Sequence, residues 1–145
     1  MLDAHSHKAV SWHMSTRIDS KLVLDCLRRA VEERTPPGQW IHHSDQGIQY
    51  ACNGYTQAVR DSGGRPSMSS KAGPYDNAKA ESFFVTLKKE EVHREEYHTL
   101  EQAQASIGSY IDNYYNSESV HSRLGYCLPE ELELELPCKT ELAKA

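Results

Sequence analysis

Apolar and polar positions along this 145-residue chain follow two periods in turn, and the alternation predicts strands followed by helices. In KAVSWHM (8–14), Val10, Trp12 and Met14 recur at period two, the pattern of a half-buried strand. In DSKLVLDCLRRAVEER (19–34), Leu22, Val23, Cys26, Leu27, Ala30 and Val31 recur at helical spacing, with Asp19 as the N-cap. TPPG then stops this helix, because proline cannot continue it and glycine tolerates the turn. QWIHHS (39–44) reads as a short strand running into Asp45. A helix over about 53–62 ends at GG, and RPSMS (65–69) is a further short strand. The loop SKAGPY leads to a helix from about Asp76 to Glu91. The last long helix, about Leu100 to Asn116, has Thr99 as its cap and Gln102 three residues on. HSRLGYCLPEELELEL supplies a turn and a short acidic helix starting near Pro129. No repeat, low-complexity tract or linker intervenes, so one α/β domain is expected.

Composition narrows the class. At 38% apolar and 26% charged residues the chain is a globular protein and not a disordered one. A chain of this length buries about 70% of its extended surface, enough for a real core. Its apolar runs are only a few residues long, which excludes a membrane-spanning helix. The start, MLDAHSHKAV, lacks the basic, apolar and small-residue order of a signal peptide, so the expected location is the cytoplasm. The four cysteines, Cys26, Cys52, Cys127 and Cys138, are scattered without a C-x-x-C pair and are expected as free thiols.

Net charge is −5, which argues against general affinity for nucleic acid, but the charges are not evenly spread. Residues 60–89 hold six basic side chains (Arg60, Arg65, Lys71, Lys79, Lys88, Lys89) against three acidic ones (Asp61, Asp76, Glu81). Residues 90–145 hold four basic against twelve acidic. The positive stretch surrounds Glu81. An acid set in basic sequence fits a site that handles a polyanion, although solvated surface has the same composition.

Asp45, in SDQG, falls where a strand ends, the usual place for catalytic groups in α/β sheets. Gly47 is expected to let the chain turn away and leave that carboxylate open. On the helix after residue 76, Glu81 shares a face with Asn77 and Lys88, with Lys88 about 10 Å further along. Ala80, Phe83, Phe84 and Leu87 group on an adjacent face, expected to dock the helix on the sheet and aim Glu81 at the opening beside Asp45. Two converging carboxylates repel unless a cation lies between them, and hard ions such as Mg²⁺ prefer oxygen ligands. Alone, each acid also reads as a turn former or as plain surface. His5, His7, His13, His42 and His43 form a third candidate set, for a transition metal, against scattered surface histidines.

HSDQGIQY, MSSKAGPYDNAKAESFFVTLKKE and YIDNYYNSESVHSRLGYCLPEELE together resemble the integrase catalytic core of bacterial insertion-sequence transposases of the OrfB type. These are DDE enzymes related to retroviral integrases. In that family 35 residues separate an Asp from a Glu, with a Lys or Arg seven after the Glu. Positions 46–80 supply the interval here and Lys88 the basic residue. The likeness runs from LDAHSHKAVSW to LPEELE. It implies a ribonuclease H-like fold, a mixed sheet flanked by helices, with about 1–127 as the core and 128–145 as a short acidic helix and tail. It also implies Mg²⁺ (or Mn²⁺) held as a pair by three carboxylates, with Asp45 as the second acid and Glu81 as the third, catalytic and metal-binding alike. Lys88, Lys71 and Lys79 would contact DNA, and His43, Tyr50 and Asn77 would shape the site. The implied reaction is hydrolysis at transposon ends, then attack of the freed 3′-hydroxyl on target DNA. DNA and other transposase subunits would be the partners, in the bacterial cytoplasm and on the nucleoid, with no membrane.

Two departures bear on activity. The family's first acid lies in a stretch like W-x-x-D-x-T on the opening, central strand, and that motif does not occur in the chain. Asp3 falls on the LD acid of the family, which is not a metal ligand there. Ser119, in YNSESVHS, stands where the family usually has Arg. The chain is therefore expected to be the C-terminal part of a transposase core with an incomplete metal site and no strand transfer of its own. The alternative is a non-catalytic fragment that binds full-length transposase and interferes with it.

Overall fold

The computed structural model describes residues 1–36, 38–70, 77–119 and 127–134. Cα packing divides the chain into two compact units, Met1 with Val10–Lys89, and Leu2–Ala9 with Glu90–Ala145. Lys71 and Asp76, residues 120–126 and Cys138 lie outside the described residues.

The first unit begins with α1 (Ser20–Arg34). Its N-cap is Asp19, whose carboxylate accepts the Leu22 N–H at 3.0 Å and satisfies one of the open donors of the first turn. Thr35 ends the helix in the left-handed region (φ 40°, ψ 61°), donating its N–H to the Val31 carbonyl. Val23, Leu27 and Ala30 form the buried stripe at i, i+4 and i+7. Strand β1 (Trp40–Ser44), the short helix α2 (Ile48–Ala51), α3 (Asn53–Asp61) and β2 (Gly64–Met68) follow. Gly63, at φ 81°, makes the left-handed turn between α3 and β2 that a side chain would oppose. β1 and β2 pair in parallel, His43 opposite Ser67 and Ser44 opposite Met68, with the helices between them as the crossover. Val23 and Leu27 of α1 pack with Tyr55 and Val59 of α3 to form the core, bordered by Trp40 and Tyr50. Leu27 and Val59 are 2% and 0% exposed.

α4 (Ala78–Leu87) continues into a π-helical segment, Lys88–Val92. Only Phe83 and Leu87 are buried on it, one turn apart. Phe84, expected in the docking face, is 54% exposed, and the adjoining Val85 is 65% exposed. The buried apolar stripe is therefore one residue wide, and among the described elements of the first unit α4 packs extensively on none.

The strand expected over 8–14 does not form. Ala9 makes only an isolated antiparallel bridge with Leu2, and the buried positions are Ala9 and Ser11 instead of Val10, Trp12 and Met14. In the first unit the Val10 N–H bonds the Met1 carbonyl at 3.0 Å, and the Ser11 hydroxyl donates to the Cys26 carbonyl at 2.7 Å. The polar groups of this stretch thus find individual partners instead of a strand ladder.

In the second unit, α5 (Leu100–Ser109) runs on as a π-helical segment, Tyr110–Tyr115, in place of one continuous α-helix to Asn116. Thr99 caps it by accepting the Gln102 N–H at 3.2 Å, and Gln102 reaches back to the His98 N–H at 3.0 Å. Ile107, Gly108, Tyr110, Ile111 and Tyr115 are its buried residues. Buried Asn116 accepts the Ala9 N–H at 2.9 Å and donates to the Ala9 carbonyl at 3.2 Å. Helix 129–134 is held to the N-terminal segment by Ser6, which donates to Glu133 at 2.8 Å, and by Lys8 near Glu130 and Glu133. Among the described residues Cys26 and Cys52 carry free thiols. No described helix is long and apolar enough to cross a membrane.

Candidate active site

Asp45 is the first residue beyond β1, and its side chain is exposed. Its Oδ1 accepts the Gly47 N–H at 2.8 Å, a tight turn that fixes the carboxylate against its own backbone. Oδ2 has no hydrogen-bond partner among the described residues. Gly47 has an ordinary negative φ of −55°, so positive φ is not what this turn needs from glycine. It needs space. A Cβ at Gly47 would lie 2.8 Å from Asp45 Oδ1 and 2.8 Å from Gln49 Nε2.

Beneath Asp45 the two histidines of β1 point to opposite faces, as the strand period requires. His42 is buried, 2.9 Å from the Tyr55 hydroxyl, with its ring edge-on to Tyr55 and Trp40. Burial, joined by the nearby Met1 ammonium and His43, pushes its pKa down to about 4, so the ring is neutral. His43 faces outward, its Nδ1 3.0 Å from Ser67 Oγ and its Nε2 3.1 Å from Ser69 Oγ. Tyr50 packs edge-on to Tyr55, and burial first, then the negative charge of Asp45, raises its phenol pKa. Of the residues singled out from sequence, the structure thus brings Asp45, Tyr50 and His43 to one end of the β1–β2 pair.

Glu81 lies in the first turn of α4, where the helix dipole favours a negative charge, and its N–H bonds the Asn77 carbonyl at 3.0 Å. Its exposed carboxylate has no hydrogen-bond or ion-pair partner among the described residues. Asn77 occupies the N-cap position without a side-chain capping bond. Lys79 and Lys88 are exposed on the same element and its continuation. Among the described residues no hydrogen bond or ion pair links Glu81 to Asp45. Among the described residues no three His, Cys, Asp or Glu side chains gather as a metal site, which includes the histidine set considered above. As donors, two exposed carboxylates without a cationic partner suit a hard, oxygen-seeking divalent ion.

Ser67, Ser69 and Gln46 did not stand out in the sequence. The signal for the serines was the period-two pair in RPSMS, which becomes informative only once the parallel register sets Ser67 opposite His43.

Comparison with known proteins matches the chain to one family by two profiles. Its profiles, described as integrase core domain, match residues 1–74 and 62–129. The transposase for insertion sequence element IS904 of Lactococcus lactis is 42% identical over 132 residues, covering 91% of this chain and 52% of the relative. The transposase InsF for insertion sequence IS3A of Escherichia coli is 37% identical over 133 residues, covering 92% and 46%. The chain therefore spans about half the length of these relatives. The catalytic core domain of BIV integrase superposes with a TM-score of 0.60 at 17% identity, covering 85% of this chain and 76% of that one. A chain of the simian T-cell lymphotropic virus intasome gives a TM-score of 0.53 at 15% identity, covering 74% and 37%. These two establish the fold, a ribonuclease H-like core in which a small parallel sheet is flanked by helices.

Proposed function

Because the chain belongs to the integrase core family, in the form found in insertion-sequence transposases, we propose that it supplies two of the three acids of a DNA strand-transfer site. The observation that supports this most directly is the exposed Asp45 held by its own turn at a strand end, with 35 residues between it and an exposed Glu81 that has no partner among the described residues. Asp45 and Glu81 would hold Mg²⁺ or Mn²⁺ through carboxylate oxygens. A bound divalent ion there supplies charge to the attacking and leaving oxygens of a phosphodiester.

The chain's own residues position DNA. Lys88 and Lys79 present flexible ammonium groups to backbone phosphates, contacts that fix register without reading sequence. Lys71 joins them by its place in the positive stretch 60–89. Tyr50 and His43 shape the floor beside Asp45, and Asn77 begins the helix that carries Glu81. The reaction is end cleavage followed by transfer of the 3′-hydroxyl to target DNA, on the bacterial chromosome in the cytoplasm. These 145 residues hold no W-x-x-D-x-T stretch to supply a first acid, so this polypeptide alone is expected to join no ends.

A strand-transfer assay tests the proposal. Labelled transposon ends and target DNA are incubated with Mg²⁺ and either this chain or the chain joined to a preceding W-x-x-D-x-T segment of the family. Joining is expected only in the second case, and Asp45→Asn or Glu81→Gln should abolish it. Joining that survives either substitution would overturn the assignment.

The exposure of Phe84 and Val85 favours a second reading, association with transposase subunits without chemistry of its own. Co-purification with a full-length relative would support it, and failure to associate would remove it.

A further inference from the structure

Resting on the reading of Asp45 as a metal-binding acid, we infer that Ser69 is a positioning residue that fixes Asp45 from across the sheet. Ser69 lies one residue beyond β2, is 8% exposed, and is no part of the core cluster of Val23, Leu27, Tyr55 and Val59. Its N–H donates to the Ser44 carbonyl at 2.9 Å, and its hydroxyl donates to the same carbonyl at 3.2 Å. Its carbonyl accepts from Gln46 Nε2 at 2.9 Å. Ser69 therefore grips the residues on either side of Asp45.

The fourth contact follows from proton counting. A serine hydroxyl has one proton, and that of Ser69 is assigned to the Ser44 carbonyl, which can only accept. The Ser69 oxygen, 3.1 Å from His43 Nε2, is then the acceptor of that contact, which corresponds to the Nε2-protonated tautomer of His43. Nδ1 is left to accept the Ser67 hydroxyl at 3.0 Å. One serine thus sets a histidine tautomer, extends the β1–β2 pairing one step past β2, and fixes where Asp45 leaves the sheet. With the Ser44 carbonyl and the Gln46 side chain both held by Ser69, the Gly47 N–H meets Asp45 Oδ1 and orients the carboxylate. Outer groups of this kind support a ligand without touching the ion.

The experiment compares this chain with Ser69→Ala, Ser69→Thr, Gln46→Ala and Asp45→Asn. Long-range ¹⁵N NMR reads the His43 tautomer, the Gly47 amide shift reads the bond to Asp45, Mn²⁺ titration reads affinity, and thermal melting reads the fold. Ser69→Ala is expected to lose the single His43 tautomer, move the Gly47 amide and weaken Mn²⁺ binding roughly tenfold, with the chain still folded. Ser69→Thr, which keeps the hydroxyl, is expected to restore the His43 tautomer, and Gln46→Ala to move the Gly47 amide on its own. An unchanged His43 ring and Gly47 amide in Ser69→Ala overturn the inference, whatever the metal does. Mn²⁺ binding unaffected by Asp45→Asn overturns the metal reading of Asp45 instead, and the NMR comparison still decides whether Ser69 positions that carboxylate.

Discussion

His42 Nε2 and the Tyr55 hydroxyl lie 2.9 Å apart inside the first unit, and the imidazole there is held neutral, with its pKa pushed down to about 4. An unfolded histidine takes up its proton near pH 6.5. The buried one does not until about pH 4, so its contribution to stability is whole above pH 6.5 and is lost as the pH falls toward 4. We expect urea midpoints to decline across that window, by about 3 kcal/mol in free energy, and His42→Gln to flatten the decline. Equal pH slopes for the two proteins would show that His42 is not the group responsible.

Asn116 carries a comparable load in the second unit. Its amide satisfies both backbone groups of Ala9, so Asn116→Leu leaves a buried donor and a buried acceptor without partners. A loss of about 2–4 kcal/mol is expected on chemical denaturation. Asn116→Asp keeps the acceptor but sets a carboxylate oxygen against the Ala9 carbonyl, so it should not recover that loss at neutral pH.

Gly47→Ala separates site geometry from stability. The added methyl would lie 2.8 Å from Asp45 Oδ1, which the carboxylate can relieve only by giving up the Gly47 N–H. Stability should change by less than about 1 kcal/mol for so exposed a contact. Strand transfer in the completed enzyme should fall steeply, and unchanged joining rates would show that the turn does not orient Asp45.

Lys88→Gln removes one point charge from the proposed DNA path. DNA affinity should weaken evenly across sequences, and the slope of log affinity against log salt should shrink by about 1. An identical slope would place Lys88 away from phosphate.

Helices α1, α3, α4 and α5 and both strands of the β1–β2 pair were legible because each rests on local chemistry, whereas the short α2 was not expected. Asp19 and Thr99 are caps, TPPG and GG are stops, and the 23, 27, 30 stripe needs only helical geometry. Asp45 at a strand end was legible for the same reason. What depends on distant partners was not. The parity of 8–14 is decided by Cys26 and Asn116, far along the chain, so a local alternation of Val10, Trp12 and Met14 pointed to the wrong face. Phe84 looked like core by its neighbours, but one buried stripe on α4 had room for Phe83 and Leu87 alone. The Ser69 contacts emerge only from the pairing register.

The neighbouring histidines also bear on how faithfully this sheet assembles. A strand slipped by one residue exchanges its two faces, and where adjacent residues are identical the slipped strand still offers a histidine to each side. His42 and His43 create that ambiguity at the step before Asp45. Tyr55 on the inner face and the serines 67 and 69 on the outer face are what tell the two registers apart. Misfolding in this chain should therefore be most sensitive to changes at those three partners, and less so to changes in the histidines themselves.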